Sequence, residues 1–317
     1  MKVVVLGKGL MLANLVLGVI DSGAELVGVF RYEETSSSSV KLFFEEYFNP
    51  SPDLTLLKNL KVNRIRYKSA NSELFRNLLL ALNVDLIIVG TWREKIEKET
   101  FNIPTIATVN VHPSLLPKYR GPNPYLQTIL QGEEYSGVSV HLMTERFDSG
   151  PILKQEKIKI LETDTSKELR EKSVRVAIKL IAELITDLNS EVVVPIEQDE
   201  QQATYFPNIS GNERMLDFKL QDSVSIARTI RALHPFLPCY ITYSNKFFIV
   251  NPYQFSILST EYDFEPGTIV EKNHINSSIT ILCADKVAIR FSELKLYKSP
   301  KFTKEFIKNK VNIMDNV

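Results

Sequence analysis

Four consecutive apolar residues, Val3 to Leu6, open the chain, and Leu26 to Phe30 and Val84 to Val89 repeat the pattern with one interruption each. A strand that is apolar at every position is covered on both faces, which is the condition of a parallel sheet buried under helices. Helical stretches separate these runs. Leu10 to Ser22 is one, closed by Gly23. Glu73 to Asn83 is another, with Leu74, Leu78, Leu79 and Leu82 on one face. Thr105 to Val111, rich in β-branched residues, reads as a further strand. Strand and helix alternating in this way predict an α/β, Rossmann-like, mostly parallel sheet with helices on both sides.

The texture changes after a long amphipathic helix at Glu168 to Asn189, whose apolar side carries Val174, Ile178, Ile181, Leu184 and Ile185. Residues 197 to 203 are polar and read as a linker. Val224 to Leu233 follows as a helix, then short strand-like pieces at Tyr240–Tyr243, Lys246–Val250, Gly267–Glu271, Ile279–Cys283 and Val287–Phe291. Short strands separated by turn signals predict a small barrel-like or sandwich domain. The expected division is therefore a domain over residues 1–200 and a smaller one over 201–317, a size consistent with 317 residues. Thr35 to Ser39 reads as a low-complexity loop.

Lys+Arg and Asp+Glu both number 38, which argues against a dedicated nucleic-acid coat protein while leaving room for a local basic patch. Cys239 and Cys283 are not in a C-x-x-C pair and read as buried thiols of a reducing cytoplasm. The start, from Met1 straight into a strand, lacks the pattern of a signal peptide, and no apolar run approaches the roughly 20 residues of a membrane helix. A cytoplasmic protein without membrane contact is expected.

Chemistry concentrates in Val109-Asn-Val-His-Pro-Ser-Leu-Leu-Pro-Lys-Tyr-Arg-Gly-Pro-Asn-Pro124. Alternate residues of a strand share a face, so Asn110 and His112 project together. Pro113 stops the strand just beyond them. In an open parallel sheet the C-terminal edge is where ligands bind. Downstream, Gly137–Met143 reads as a strand and Thr144–Gly150 as a turn, which could return Asp148 to the same place. An amide, an imidazole and a carboxylate together suit acyl transfer to an amine. The amide steadies the carbonyl oxygen as it gains charge. The imidazole shares that task or moves protons, and the carboxylate orients it or accepts the amine's proton.

These segments resemble the formyltransferases that use 10-formyltetrahydrofolate. That family's motif of Asn-x-His-x-Ser-Leu-Leu-Pro-x-x-Arg-Gly, then Thr/Ser-Gly-Val, then Asp-x-Gly, stands here as Asn110, His112, Ser114-Leu115-Leu116-Pro117, Arg120-Gly121, Ser136-Gly137-Val138 and Asp148-Ser149-Gly150. The resemblance implies catalytic roles for Asn110, His112 and Asp148. It implies a folate co-substrate against the loop Gly90–Ile96, with Trp92, Arg93 and Ile96, and against Ser114, Leu115, Leu116 and Pro117. It implies an acceptor near Arg120 and Gly121, and no metal. Ala203-Thr204-Tyr205 with Ile209-Ser210, Ile230–Pro235 and Pro266–Ile269 are similar to the junction and the OB-like C-terminal barrel of methionyl-tRNA formyltransferases.

The acceptors to weigh are methionyl-tRNA and a nucleotide-linked amino sugar, and a folate-binding module without activity is the reading outside enzymology. Methionyl-tRNA formyltransferases carry a basic insertion after the second strand. Here Arg31-Tyr32-Glu33-Glu34-Thr35 and four serines stand in its place, while Lys295, Lys298, Lys301, Lys304, Lys308 and Lys310 make the tail basic. Gly7-Lys8-Gly9 fails the dinucleotide spacing because residue 12 is Leu, and reads as a tight turn. His141, His234 and His274 read as structural or solvated. Trp92 is a packing residue or a folate contact, and Arg120 an anion anchor or a pin for its loop.

Overall fold

The computed structural model describes residues 1–37, 41, 42, 45, 48, 50–209, 214–243, 246–273, 275, 278–297, 314 and 315. The chain forms two compact units. The first comprises Met1–Pro124, Tyr135–Lys159 and Arg170–Phe206, and the second Tyr125–Glu134, Ile160–Leu169 and Pro207–Val317. Among the described residues no helix is long and apolar enough to cross a membrane.

The first unit is built on a seven-stranded sheet. Its strands are β1 (Lys2–Gly7), β2 (Glu25–Arg31), β3 (Arg64–Ile65), β4 (Leu86–Gly90), β5 (Ala107–His112), β6 (Tyr135–Leu142) and β7 (Ile152–Lys159), ordered β3-β2-β1-β4-β5-β6-β7. The strands from β3 to β5 are parallel, and β6 and β7 run antiparallel. The apolar runs behave as expected: Val3, Val4, Val5, Leu6, Leu86 and Ile88 are wholly buried. The helix Gly9–Asp21 packs so closely on the long helix Ser166–Asn189 that a β-carbon at Gly18 would lie 2.8 Å from the carbonyl oxygen of Ile178. Gly7 is similarly squeezed, since a β-carbon there would lie 2.5 Å from the Gly90 oxygen, so the Gly7-Lys8-Gly9 turn serves close strand packing.

Two local readings change. The helix over Glu73–Leu82, capped by Ser72 accepting from the Phe75 N–H, buries Phe75 and Leu79 and leaves Leu74 65% exposed. On a helical wheel Phe75 falls between Leu78, Leu79 and Leu82, and Leu74 lies at the rim of that arc. Thr35 and Ser36 belong to a short helix, Tyr32–Ser36, and not to a loop; Ser38 and Ser39 lie outside the described residues.

Arg31, at the end of β2, is 1% exposed. Its Nε donates to Asp53 Oδ2 at 2.9 Å and its Nη2 to Glu45 Oε1 at 2.7 Å. Asp53 is itself buried at the start of the helix Pro52–Leu60. The charge of Arg31 is therefore spent inside the protein.

The second unit carries two sheets and the helix Ser223–Leu233, capped by Asp222. One sheet contains β8 (Tyr240–Tyr243), β9 (Lys246–Ile249) and β14 (Lys295–Leu296), in the order β14-β9-β8. The other contains β10 (Phe255–Glu261), β11 (Thr268–Asn273), β12 (Ser278–Leu282), β13 (Val287–Phe291) and β15 (Met314–Asp315), ordered β10-β13-β12-β11-β15. Pairing is antiparallel except for β11 with β15. β10 was not legible as a strand: its exposed Ile257 leaves no clean alternation. Cys239 and Cys283 are free and buried, and burial pushes both thiols up to about 12. Lys295 is exposed, whereas Lys298, Lys301, Lys304, Lys308 and Lys310 lie outside the described residues, as does His274.

Removing one partner of a buried ion pair strands the other charge. Asp53→Ala is expected to lower unfolding stability by about 3–5 kcal/mol. Urea denaturation measures this, and an unchanged midpoint would show that Arg31 finds water instead.

Candidate active site

Asn110 and His112 leave β5 on one face, and the turn after β6 brings Asp148 to them. Asn110 Nδ2 donates to Asp148 Oδ1 at 3.2 Å, and His112 Nδ1 lies 3.5 Å from the same oxygen. Asp148 Oδ2 accepts from the Gly121 N–H at 3.0 Å. The amide, the imidazole and the carboxylate, separated along the chain, thus share one place at the C-terminal end of β5.

His141 belongs to this cluster. It is 2% exposed, directly opposite Asn110 in the β5–β6 register, and its Nε2 lies 3.1 Å from Asn110 Nδ2 and 3.7 Å from Asp148 Oδ1. Of the two expected states, structural or solvated, the ring is buried and hydrogen-bonded, and its contacts are to Asn110 and Asp148. Opposed residues of an antiparallel pair share a face, and only the pairing of these strands, absent from the sequence pattern, could have exposed the connection. His234 is half-buried, edge-on to Tyr253 in the second unit.

Carbonyl partners fix the tautomers. His112 Nε2 donates to the Tyr119 oxygen at 2.8 Å, so in the neutral ring Nδ1 is a lone pair aimed at the carboxylate. His141 Nδ1 donates to the Leu142 oxygen at 2.8 Å, leaving Nε2 to accept from Asn110. Both N–H groups of the Asn110 amide are then engaged, one by His141 and one by Asp148. Burial lowers the pKa of His112, against the pull of Asp148, so the ring prefers to be neutral. For Asp148, burial opposes ionisation but is outweighed by the positive charge that His112 or His141 carries when protonated and by the Gly121 N–H, which hold the carboxyl well below the usual range. Two acceptors, Nδ1 and Oδ1, therefore face one gap that a proton would fill.

The loop from Pro113 to Gly121 is fixed from both sides. Ser114 is fully buried: its hydroxyl donates to the Lys118 oxygen, and its own carbonyl accepts from Ser139 Oγ. The Leu116 N–H donates to Ser139 Oγ, and its carbonyl accepts from Gln155. Leu115 packs where a β-carbon on Gly137 would sit, 2.3 Å away. Pro117 follows a cis bond, and its oxygen accepts from the Thr204 N–H. From the other side comes the segment read as a linker. The Arg120 N–H donates to the Thr204 oxygen, the Phe206 N–H to the Arg120 oxygen, and Phe206 stacks on Tyr119 at 5.2 Å. Residues 196–206 are a strap over the site loop.

Arg120 is 7% exposed, and its guanidinium is taken up by Gln198 Oε1 at 2.7 Å and by Glu200 at 2.8 and 3.1 Å. Of its two expected uses, the structure displays the pin. The loop after β4 starts beside the site, because Val89 pairs with Asn110. Ile96 is buried in the core below it. Trp92 stands edge-on to Phe30 at 5.2 Å and Tyr32 at 5.1 Å, its indole N–H without a hydrogen-bond partner among the described residues, and Arg93 is exposed.

A buried neutral histidine whose pKa is depressed on folding costs stability once the unfolded chain begins to take up the proton. That loss starts as pH falls below about 6.5 and stops growing below the folded value. His112→Gln removes this contribution. Between pH 7 and 5 the parent is expected to lose more stability than the variant in urea titrations, and parallel pH curves would contradict a buried neutral ring.

The family model described as formyl transferase matches residues 1–185, and that described as formyl transferase, C-terminal domain, matches residues 208–310. The methionyl-tRNA formyltransferase of Geobacillus sp. is 33% identical over 68% of this chain and 67% of its own. That of Coxiella burnetii is 27% identical over 93% of this chain and 91% of its own. Among solved structures, the sugar 3N-formyl transferase WlaRD, in the presence of dTDP and 5-N-formyl-THF, superposes with a TM-score of 0.67 at 18% identity, covering 92% of this chain and 97% of that one. An N-formyltransferase from Helicobacter canadensis, in complex with folinic acid and dTDP-3-aminofucose, gives 0.66 at 18%, covering 94% and 100%. At that identity the likeness is one of fold. The converging Asn110, His112 and Asp148, the sheet that presents them and the family model over residues 1–185 agree: this chain belongs to the formyl transferase family and is an enzyme of formyl transfer.

Proposed function

We propose that the enzyme takes the formyl group of 10-formyltetrahydrofolate and places it on the amino group of methionyl-tRNA, in the cytoplasm. The observation that carries the chemistry is the pair of acceptors, His112 Nδ1 and Asp148 Oδ1, 3.5 Å apart beside Asn110. The amine nitrogen attacks the formyl carbon, and the carbonyl π pair moves onto oxygen. The proton lost by the amine goes to His112 Nδ1, where Asp148 steadies the imidazolium. That new ion pair occupies Asp148 Oδ1 and frees one Asn110 N–H for the oxyanion. The oxygen pair then re-forms the carbonyl as the bond to the folate nitrogen breaks, and His112 returns the proton to that nitrogen. Formylated amine and tetrahydrofolate leave.

The acceptor reading draws on relatives named methionyl-tRNA formyltransferase that match across most of the chain, including the second domain. The donor reading draws on the 5-N-formyl-THF and folinic acid that accompany two fold neighbours. The folate pocket is assigned to the loop Thr91–Ile96, with Trp92 and Arg93 at its surface, and to Leu115–Pro117; Arg120 and Gly121 border the acceptor side through the strap. One observation favours an amino-sugar nucleotide instead: Arg31, at the end of β2, is buried on Asp53 and Glu45 and is not presented to RNA phosphates.

Release of tetrahydrofolate from 10-formyltetrahydrofolate is expected with methionyl-tRNA and not with amino-sugar nucleotides; the reverse result would reassign the acceptor. His112→Ala should lower kcat by about 10²–10⁴, and Asn110→Ala by roughly 10²–10³, with folate binding retained. Full turnover by either variant would remove that residue from the mechanism.

A further inference from the structure

Asp148 holds a left-handed backbone, φ 53°, which residues with a β-carbon adopt uncommonly, Asp more readily than most. The neighbouring turn has no slack, since a β-carbon on Gly150 would sit 1.9 Å from the Leu142 oxygen. The carboxylate meets Gly121, Asn110 and His112, and the main-chain carbonyls of the turn find a partner elsewhere. A single side chain collects them. Gln198 Nε2 donates to the Asp148 oxygen at 2.9 Å and to the Gly150 oxygen at 2.7 Å. The same amide accepts, through Oε1, from Arg120 Nε at 3.2 Å and Nη2 at 2.7 Å. Its own segment is fixed two residues earlier, where Ile196 and Ile152 exchange backbone hydrogen bonds at 2.7 and 2.8 Å.

We infer that Gln198 is a positioning residue of formyl transfer: its amide holds the main chain of the Asp148 turn so that the carboxylate stays between Asn110, His112 and the Gly121 N–H. The inference rests on the proposed role of Asp148. The amide meets donors on one side and acceptors on the other, so its two ends do different work. The nitrogen fixes the Asp148 turn, and the oxygen fixes the Arg120 loop that supplies the Gly121 N–H and the Tyr119 carbonyl.

Substitutions separate the two ends. Gln198→Met keeps the length of the side chain and loses every hydrogen bond. Gln198→Glu keeps acceptors for Arg120 and sets a carboxylate against two carbonyl oxygens. Misplacing a reacting group by about 1 Å can cost roughly 100-fold in rate. Both variants, shown to be folded by urea denaturation, are therefore expected to lose about that factor in kcat with the KM for folate little changed. The same loss must vanish in an Asp148→Asn background, because a residue acting through Asp148 has nothing left to position. Single-turnover rates with excess enzyme measure the slow backgrounds. Wild-type kcat in either variant, or a loss that multiplies with that of Asp148→Asn, would overturn the inference. Full activity of Asp148→Asn itself would instead defeat the reading on which it rests.

Discussion

Asp148 keeps a negative charge inside the protein, and the surrounding structure is arranged to make that tolerable. A buried carboxylate must be satisfied by donors or it protonates. Here the donors are a backbone N–H from Gly121 and the amide of Asn110, with the rings of His112 and His141 3.5 and 3.7 Å away. Each comes from a different segment. The charge can exist only if β5, β6, the loop to Gly121 and the turn at Asp148 are all in place. Folding and catalytic readiness are in this sense one condition.

The histidines divide the labour by their tautomers. Each is held by a carbonyl that leaves the opposite ring nitrogen free, His112 through Nε2 and His141 through Nδ1. His141 consequently fixes the amide of Asn110, while His112 offers a lone pair beside the carboxylate. A ring kept neutral by burial can take a proton from an amine, and the adjacent anion makes the charged ring acceptable once the proton has moved. In the proposed mechanism the reaction fills an electrostatic gap between His112 and Asp148.

Nearly all of this depends on a segment with little apparent character. The polar stretch 197–203 lies against the site: Gln198 and Glu200 engage Arg120, and Thr204 and Phe206 line the loop back to Pro117. An arginine beside a reactive centre invites assignment to a substrate anion. In this protein its partners are already present in the chain, and its effect is to give the loop a rigid shape.

Periodicity alone determined the parallel core, because a strand covered on both faces must be apolar throughout, and Val3–Leu6 and Leu86–Val89 are. The order Asn-x-His before a proline determined that Asn110 and His112 project together, since alternation along a strand is local; that Asp148 joins them was decided by the fold. Pairing is not local. That β6 returns antiparallel, setting His141 opposite Asn110, and that Gln198 meets both Asp148 and Arg120, follow from contacts between distant segments with no spacing signature. The same holds for Arg31, whose charge is consumed by Asp53 in the fold. Local pattern decides what an element can be; only the tertiary structure decides which polar groups remain for a substrate, because each hydrogen bond made within the protein is one withdrawn from it.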